Sequence, residues 1–126
     1  MNQVQQTLAE FGRSIGVDDL QLRPNGRVVL TIQTIGTLAI EWAGPRGQSV
    51  LVSLARTLAS GGDASLAAVL TATHYREALA WPVHVAMLRD QRVFAVLLGP
   101  EQLDQAALNE IIRELDQLHN ALGGAA

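Results

Sequence analysis

Apolar residues follow two rhythms along this chain, and each change of rhythm marks an element. Val4, Leu8, Phe11 and Ile15 recur at spacings of four, three and four, which predicts one stripe of a helix that Gly16 is placed to end. After a connecting stretch from Val17 to Leu22, the turn Pro24-Asn25-Gly26 leads into Arg27 to Gln33, where β-branched residues dominate as in a strand. Thr37 to Trp42 then alternates, with Leu38, Ile40 and Trp42 on one face, and a Gly44-Pro45-Arg46-Gly47 turn leads to a third strand from Gln48 to Leu54. Turns this short join antiparallel neighbours, because a parallel crossover needs a dozen or more residues.

Gly61-Gly62 breaks the pattern, and Asp63 is placed to cap a second helix from Ala64 to about Thr73, with Leu66, Val69 and Leu70 as its apolar stripe. Trp81 to Arg89 and Arg92 to Leu98 read as two strands around an Asp90-Gln91 tip. A final helix carries Leu103, Ala107, Ile111, Leu115, Leu118 and Leu122 on one stripe, widened by Leu108 and Ile112, with Asp104 as N-cap. The tail from Gly123 to Ala126 is expected to fray. The predicted architecture is a single α+β domain over residues 1–126, ordered helix, three-strand antiparallel meander, helix, two strands, helix.

Composition narrows the partners. Hydrophobic residues make up 48% of the 126 but aromatics only 4%, so Leu, Val, Ile and Ala must build the core. A net charge of -3 lacks the basic excess of a phosphate-binding surface, so neither nucleic acid nor an anionic membrane is expected as partner. The longest apolar runs, such as Val93 to Leu98, are too short to span a bilayer. Met1 to Gln6 holds no basic residue followed by an apolar block, and the expected location is the cytoplasm.

Catalytic patterns are missing where their chemistry would need them. With no cysteine there is no thiolate nucleophile or thiolate metal site, and neither glycine-rich phosphate loop pattern occurs. His74, His84 and His119 do not stand at the spacing of common zinc motifs; His84 fits the polar side of its strand and His119 a helix flank. Glu110 and Glu114, with Arg113 between them, fit a solvated helix face. No serine sits in a G-x-S-x-G elbow. The reading is therefore a binding protein, not an enzyme, with no cofactor.

Three segments carry a resemblance. Phe11 to Leu22 (FGRSIGVDDLQL), Asn25 to Ile32 (NGRVVLTI) and Leu38 to Trp42 (LAIEW) are similar to the class I type III secretion chaperones, such as those of the Tir and YopE-type effectors. The shared pattern is a first helix ending in a Leu/Ile-Gly turn, a short xLxL segment, an Asn/Asp-Gly turn and a strand meander. That resemblance implies a bacterial, cytoplasmic homodimer that binds the N-terminal region of a secreted effector and keeps it extended. It also implies a client surface at the first helix and meander, here Phe11, Ile15, Val17, Leu20, Leu22, Val28 and Leu30, residues that equally suit a core. By the same resemblance the dimer contacts map to Leu66, Val69 and Leu70, then Trp81, Val83, Val85 and Met87. Between Ala72 and Ala80 the chain departs from the family's glycines and Phe, carrying Thr73-His74-Tyr75-Arg76-Glu77-Ala78 instead.

Two other classes compete. One is a dimeric regulatory scaffold that binds a folded partner through its sheet, as roadblock-like modules do. The other is a small metal-dependent enzyme using the histidines.

Overall fold

The structure, a computed structural model, describes residues 2–17, 20–24, 26–32, 35–43, 49–57, 81–88 and 90–121. Its elements are α1 (Asn2–Ser14), β1 (Arg27–Ile32), β2 (Gly36–Ala43), β3 (Ser49–Thr57), β4 (Val83–Leu88), β5 (Gln91–Leu98), a 3-10 turn (Pro100–Gln102) and α2 (Gln105–Ala121). The helix expected at 64–73, with Leu66, Val69 and Leu70, lies outside the described residues.

The strands form one antiparallel sheet in the order β1-β2-β3-β5-β4. The first three are the expected meander. β5 then lies against β3, which leaves β4 at the far edge. β3 runs three residues past the predicted Leu54, because Ala55, Arg56 and Thr57 pair with Val93, Arg92 and Gln91 of β5. Local sequence carries no sign of that distant pairing.

Alternation along the strands sends one parity toward the helices. Val50, Val52 and Leu54 of β3 and Phe94, Val96 and Leu98 of β5 are buried, alongside Leu38 and Ile40 of β2. From above, α1 supplies Val4, Leu8 and Phe11, while α2 supplies Leu108, Ile111, Leu115 and Leu118. Among the described residues Val4, Leu8 and Phe11 of the first predicted stripe and Leu108, Ile111, Leu115 and Leu118 of the last are buried as expected. By contrast, α1 stops at Ser14, Ile15 beyond it stands 43% exposed, Leu103 precedes α2, and Leu122 lies outside the described residues. On the opposite face of the sheet Val29 and Leu97 are exposed.

Local signals fix the helix ends. The Ala107 N–H donates to Asp104 Oδ1 at 2.7 Å, the N-cap bond expected of that aspartate. Gly16 adopts φ of 83°, and the Val17 N–H donates to the Gly12 carbonyl at 2.7 Å, so the chain leaves α1 in a left-handed turn. The start of α1 is tied to the approach to α2, where the buried Thr7 hydroxyl donates to the Leu103 carbonyl at 3.1 Å.

Candidate functional site

The segment between α1 and β1 builds a cleft at the sheet edge. Adjacent residues near its end pin it to both elements. The Leu22 N–H donates to Gln5 Oε1 of α1 at 3.1 Å, and the Arg23 N–H donates to the Arg27 carbonyl of β1, also at 3.1 Å. A β-carbon on Gly12 would lie 2.6 Å from the Val17 carbonyl oxygen and 2.7 Å from the Leu20 β-carbon, so only glycine lets this segment pack so close to the helix.

The resulting cleft encloses about 430 Å³ and is lined by Val17, Leu20, Gln21, Leu22, Arg23, Pro24, Val28, Val29 and Leu30. Leu20, Leu22 and Val28 form a nearly buried floor, while Val17 and Leu30 are half-buried. Sequence reasoning named five of these residues as a client patch: Val17, Leu20, Leu22, Val28 and Leu30. The other two members of that patch lie elsewhere. Phe11 is 3% exposed in the core, and Ile15 is exposed but does not line the cleft.

β1 is an edge strand, and the parity of its main chain can be read from one bond. The Trp42 N–H donates to the Gly26 carbonyl at 3.0 Å, so in the register Val28↔Ile40 and Leu30↔Leu38 the even-numbered residues of β1 bond to β2. The N–H and C=O groups of Arg27, Val29 and Thr31 then point away from the sheet. Arg23 occupies the Arg27 carbonyl, and among the described residues nothing pairs with the outward main-chain groups of Val29 and Thr31. A cleft with an apolar floor and a polar rim that includes Gln21 and Arg23 thus sits beside a short open strand edge, the arrangement that accepts an extended peptide by strand addition.

The opposite edge carries the residues named for dimer contacts. Val83 and Val85 lie on the helix-facing side of β4, partly buried against the core, and His84 and Ala86 are exposed on the other side. Trp81 is half-buried, and its indole N–H donates to Glu110 Oε1 at 3.2 Å. Glu110 is therefore not simply part of a solvated helix face. The side chain of Met87, like Leu66, Val69 and Leu70, lies outside what is described.

His119 also departs from expectation. Instead of a helix flank it occupies a fully buried site, in contact with Arg92 and the Leu54 carbonyl. Its pKa is lowered to about 4, chiefly by burial, with the Arg56 and Arg92 charges adding to the effect and the Leu54 hydrogen bond and Asp116 opposing it. Arg92 is lowered as well, by burial and then by Arg56. Neither buried arginine was named from the sequence, although both occupy inward positions in their strands. His84 is exposed on β4, His74 lies outside the described residues, and among the described residues no three potential ligands cluster to hold a metal.

No family model matches the chain, and no curated protein matches its sequence. Solved structures do match. The Yersinia pestis type III secretion chaperone SycH, in complex with a stable fragment of YscM2, aligns with a TM-score of 0.63 over 93% of this chain and 98% of its own, at 16% identity. This is the fold of the type III secretion chaperones. A structure of the HopA1–SchA chaperone–effector complex aligns with a TM-score of 0.66 over 94% of this chain and 89% of its own, again at 16% identity. An uncharacterized protein from Methanothermobacter thermautotrophicus aligns with a TM-score of 0.60, over 95% of this chain and 94% of its own, at 11% identity.

Proposed function

We propose that this chain is a homodimeric, non-enzymatic type III secretion chaperone that binds the N-terminal region of a bacterial effector in the cytoplasm and keeps it non-globular for delivery. The observation that carries this reading is the cleft that Val17, Leu20, Leu22, Val28 and Leu30 line, with Gln21 and Arg23 at its rim, beside the open edge at Val29 and Thr31. An extended client gains main-chain hydrogen bonds along the edge and buries alternate side chains in the cleft, which suits an unfolded segment better than a folded one. Support comes from the solved neighbours: SycH is a secretion chaperone, and SchA appears in a chaperone–effector complex. The proposed second-copy contact is at β4, through Trp81, Val83, Val85 and Met87, with Leu66, Val69 and Leu70. No described helix is long and apolar enough to cross a membrane.

The test is co-expression with the product of the neighbouring reading frame. A dimer that co-purifies with that product and shields its N-terminal segment from proteolysis is the expected result. A strictly monomeric species by light scattering that captures no client would overturn the proposal.

One observation favours a second reading. Val29 and Leu97 are exposed on the sheet face away from the helices, as a surface for a folded partner would need. Hydrogen exchange separates the two, because a folded partner keeps its own protection when bound and a chaperone client does not.

A further inference from the structure

Where the end of α2 crosses β3 and β5, two arginines, a histidine and a carboxylate meet, and only Arg56 bonds the carboxylate. Arg56 Nη2 lies 2.6 Å from Asp116 Oδ1, and Arg92 reaches His119 through Nε to ring Nδ1 at 3.1 Å and through Nη2 to the main-chain carbonyl at 3.0 Å. The remaining Arg92 nitrogen, Nη1, is buried and has no hydrogen-bond partner among the described residues. This cluster is short of acceptors and holds more positive than negative charge.

That shortage fixes the state of the ring. A guanidinium can only donate, so His119 Nδ1 must accept, and the ring proton then sits on Nε2, donating to the Leu54 carbonyl at 2.9 Å. A second ring proton would have to go on Nδ1, where it would face the Arg92 N–H. It would also place a third cation in a buried cluster where Asp116 is the single anion among the described residues. The ring has little room to turn aside, since His119 is fully buried and packs edge-to-face with Phe94, ring centroids 4.7 Å apart at an interplanar angle of 67°.

We propose that His119 is an acid-sensitive latch that fastens the C-terminal turn of α2 to the sheet and lets go when its ring takes up a proton. Among the described residues the charged groups facing the ring are Arg56 from β3, Arg92 from β5 and Asp116 from α2 itself. The latch reaches further than one helix turn. Arg56 donates through Nε and Nη2 to the Ile35 carbonyl, at 3.0 and 2.7 Å, and through Nη1 to Asn120 Oδ1 at 2.8 Å. Opening it therefore loosens the β1–β2 turn, on the hairpin that carries the cleft, as well as α2. This inference stands on the cluster alone and survives if the client reading fails.

The direction of the pH effect follows from linkage. The unfolded ring titrates near 6.5 and the folded ring near 4, so the unfolded state takes up the proton first. The latch contributes fully above about pH 6.5 and is lost progressively as pH falls toward 4.

The test is urea unfolding of the full chain at fixed protomer concentration, wild type against His119→Gln, at about pH 7.5 and about pH 4.5. Glutamine can keep a donor toward Leu54 but cannot titrate. The wild-type folding constant is expected to fall some tens of times more than that of the variant, since the carboxylates titrate alike in both. Early loss of amide protection at Leu118–Ala121 should accompany it. The same pH dependence in both proteins overturns the latch. If the variant does not fold, the His119 ring is followed by NMR in the wild type. A neutral Nε2–H ring that persists well below pH 6.5 supports the latch, and a ring that titrates near 6.5 without leaving its site overturns it.

Discussion

Arg92 donates through Nε to Nδ1 of His119, and both side chains are wholly shut off from solvent. Replacing Arg92 with methionine, which fills similar space, removes that donor and one of the two cations that disfavour a charged ring. The His119 pKa is then expected to rise from about 4 toward its ordinary value, which an NMR titration of the ring would read directly.

Arg56 holds three groups together, and its removal should be felt at all of them. In Arg56→Ala the Ile35 carbonyl, Asn120 and Asp116 each lose a partner, and a loss of about 2–4 kcal/mol is expected in urea unfolding. Asp116→Asn keeps an acceptor but removes the counter-charge, so it should cost less. An Asp116→Asn variant as unstable as Arg56→Ala would show that the charge matters more than the hydrogen bonds.

The open edge of β1 gives a prediction in which two adjacent substitutions differ. Val29→Pro removes an N–H that points away from β2, and an edge strand tolerates proline there; Val28→Pro removes an N–H that bonds to Ile40. The first variant is expected to stay folded and lose client affinity by about tenfold or more, whereas the second should lose stability itself. Circular dichroism with a client pull-down distinguishes them.

Gly12→Ala tests how the cleft is formed. The added methyl meets the Val17 carbonyl and the Leu20 side chain, so Val17 and Leu20 must move outward at a cost of about 1–3 kcal/mol. Thermal unfolding should register the loss, and client binding should weaken because the floor at Leu20 and Leu22 shifts.

At the other end of the fold, Asp104→Ala removes the bond to the Ala107 N–H and should cost about 1 kcal/mol without altering client binding. A fall in client affinity here would mean that α2 contributes to the cleft in a way its position does not suggest.

The sequence made the helices and strands legible because most of them bury a single face, so their apolar periods match their geometry. Leu108, Ile111, Leu115 and Leu118 are visible as a stripe before any coordinate is known. Arg56 and Arg92 were not legible, although they continue the inward parity of Leu54 and Phe94. A charge in an apolar strand reads as its end unless its partners can be seen, and Asp116 and His119 are far away in sequence. His119 was missed for the same reason, since its burial depends on Arg92. Five of the cleft's residues, Val17, Leu20, Leu22, Val28 and Leu30, could be named from the resemblance, but its shape could not, because it depends on the bond from Leu22 to Gln5 and on the close approach at Gly12.

The bond from Arg23 to Arg27 has one more consequence, for self-association. A long bare strand edge is a template on which copies of a chain can stack into polymers. Here the chain's own preceding segment covers the start of that edge and leaves the outward groups of Val29 and Thr31. Two residues are too short a template for a growing stack, while the adjoining cleft can still reward a peptide that brings the right side chains. The surface that invites a guest thereby limits sticking between hosts.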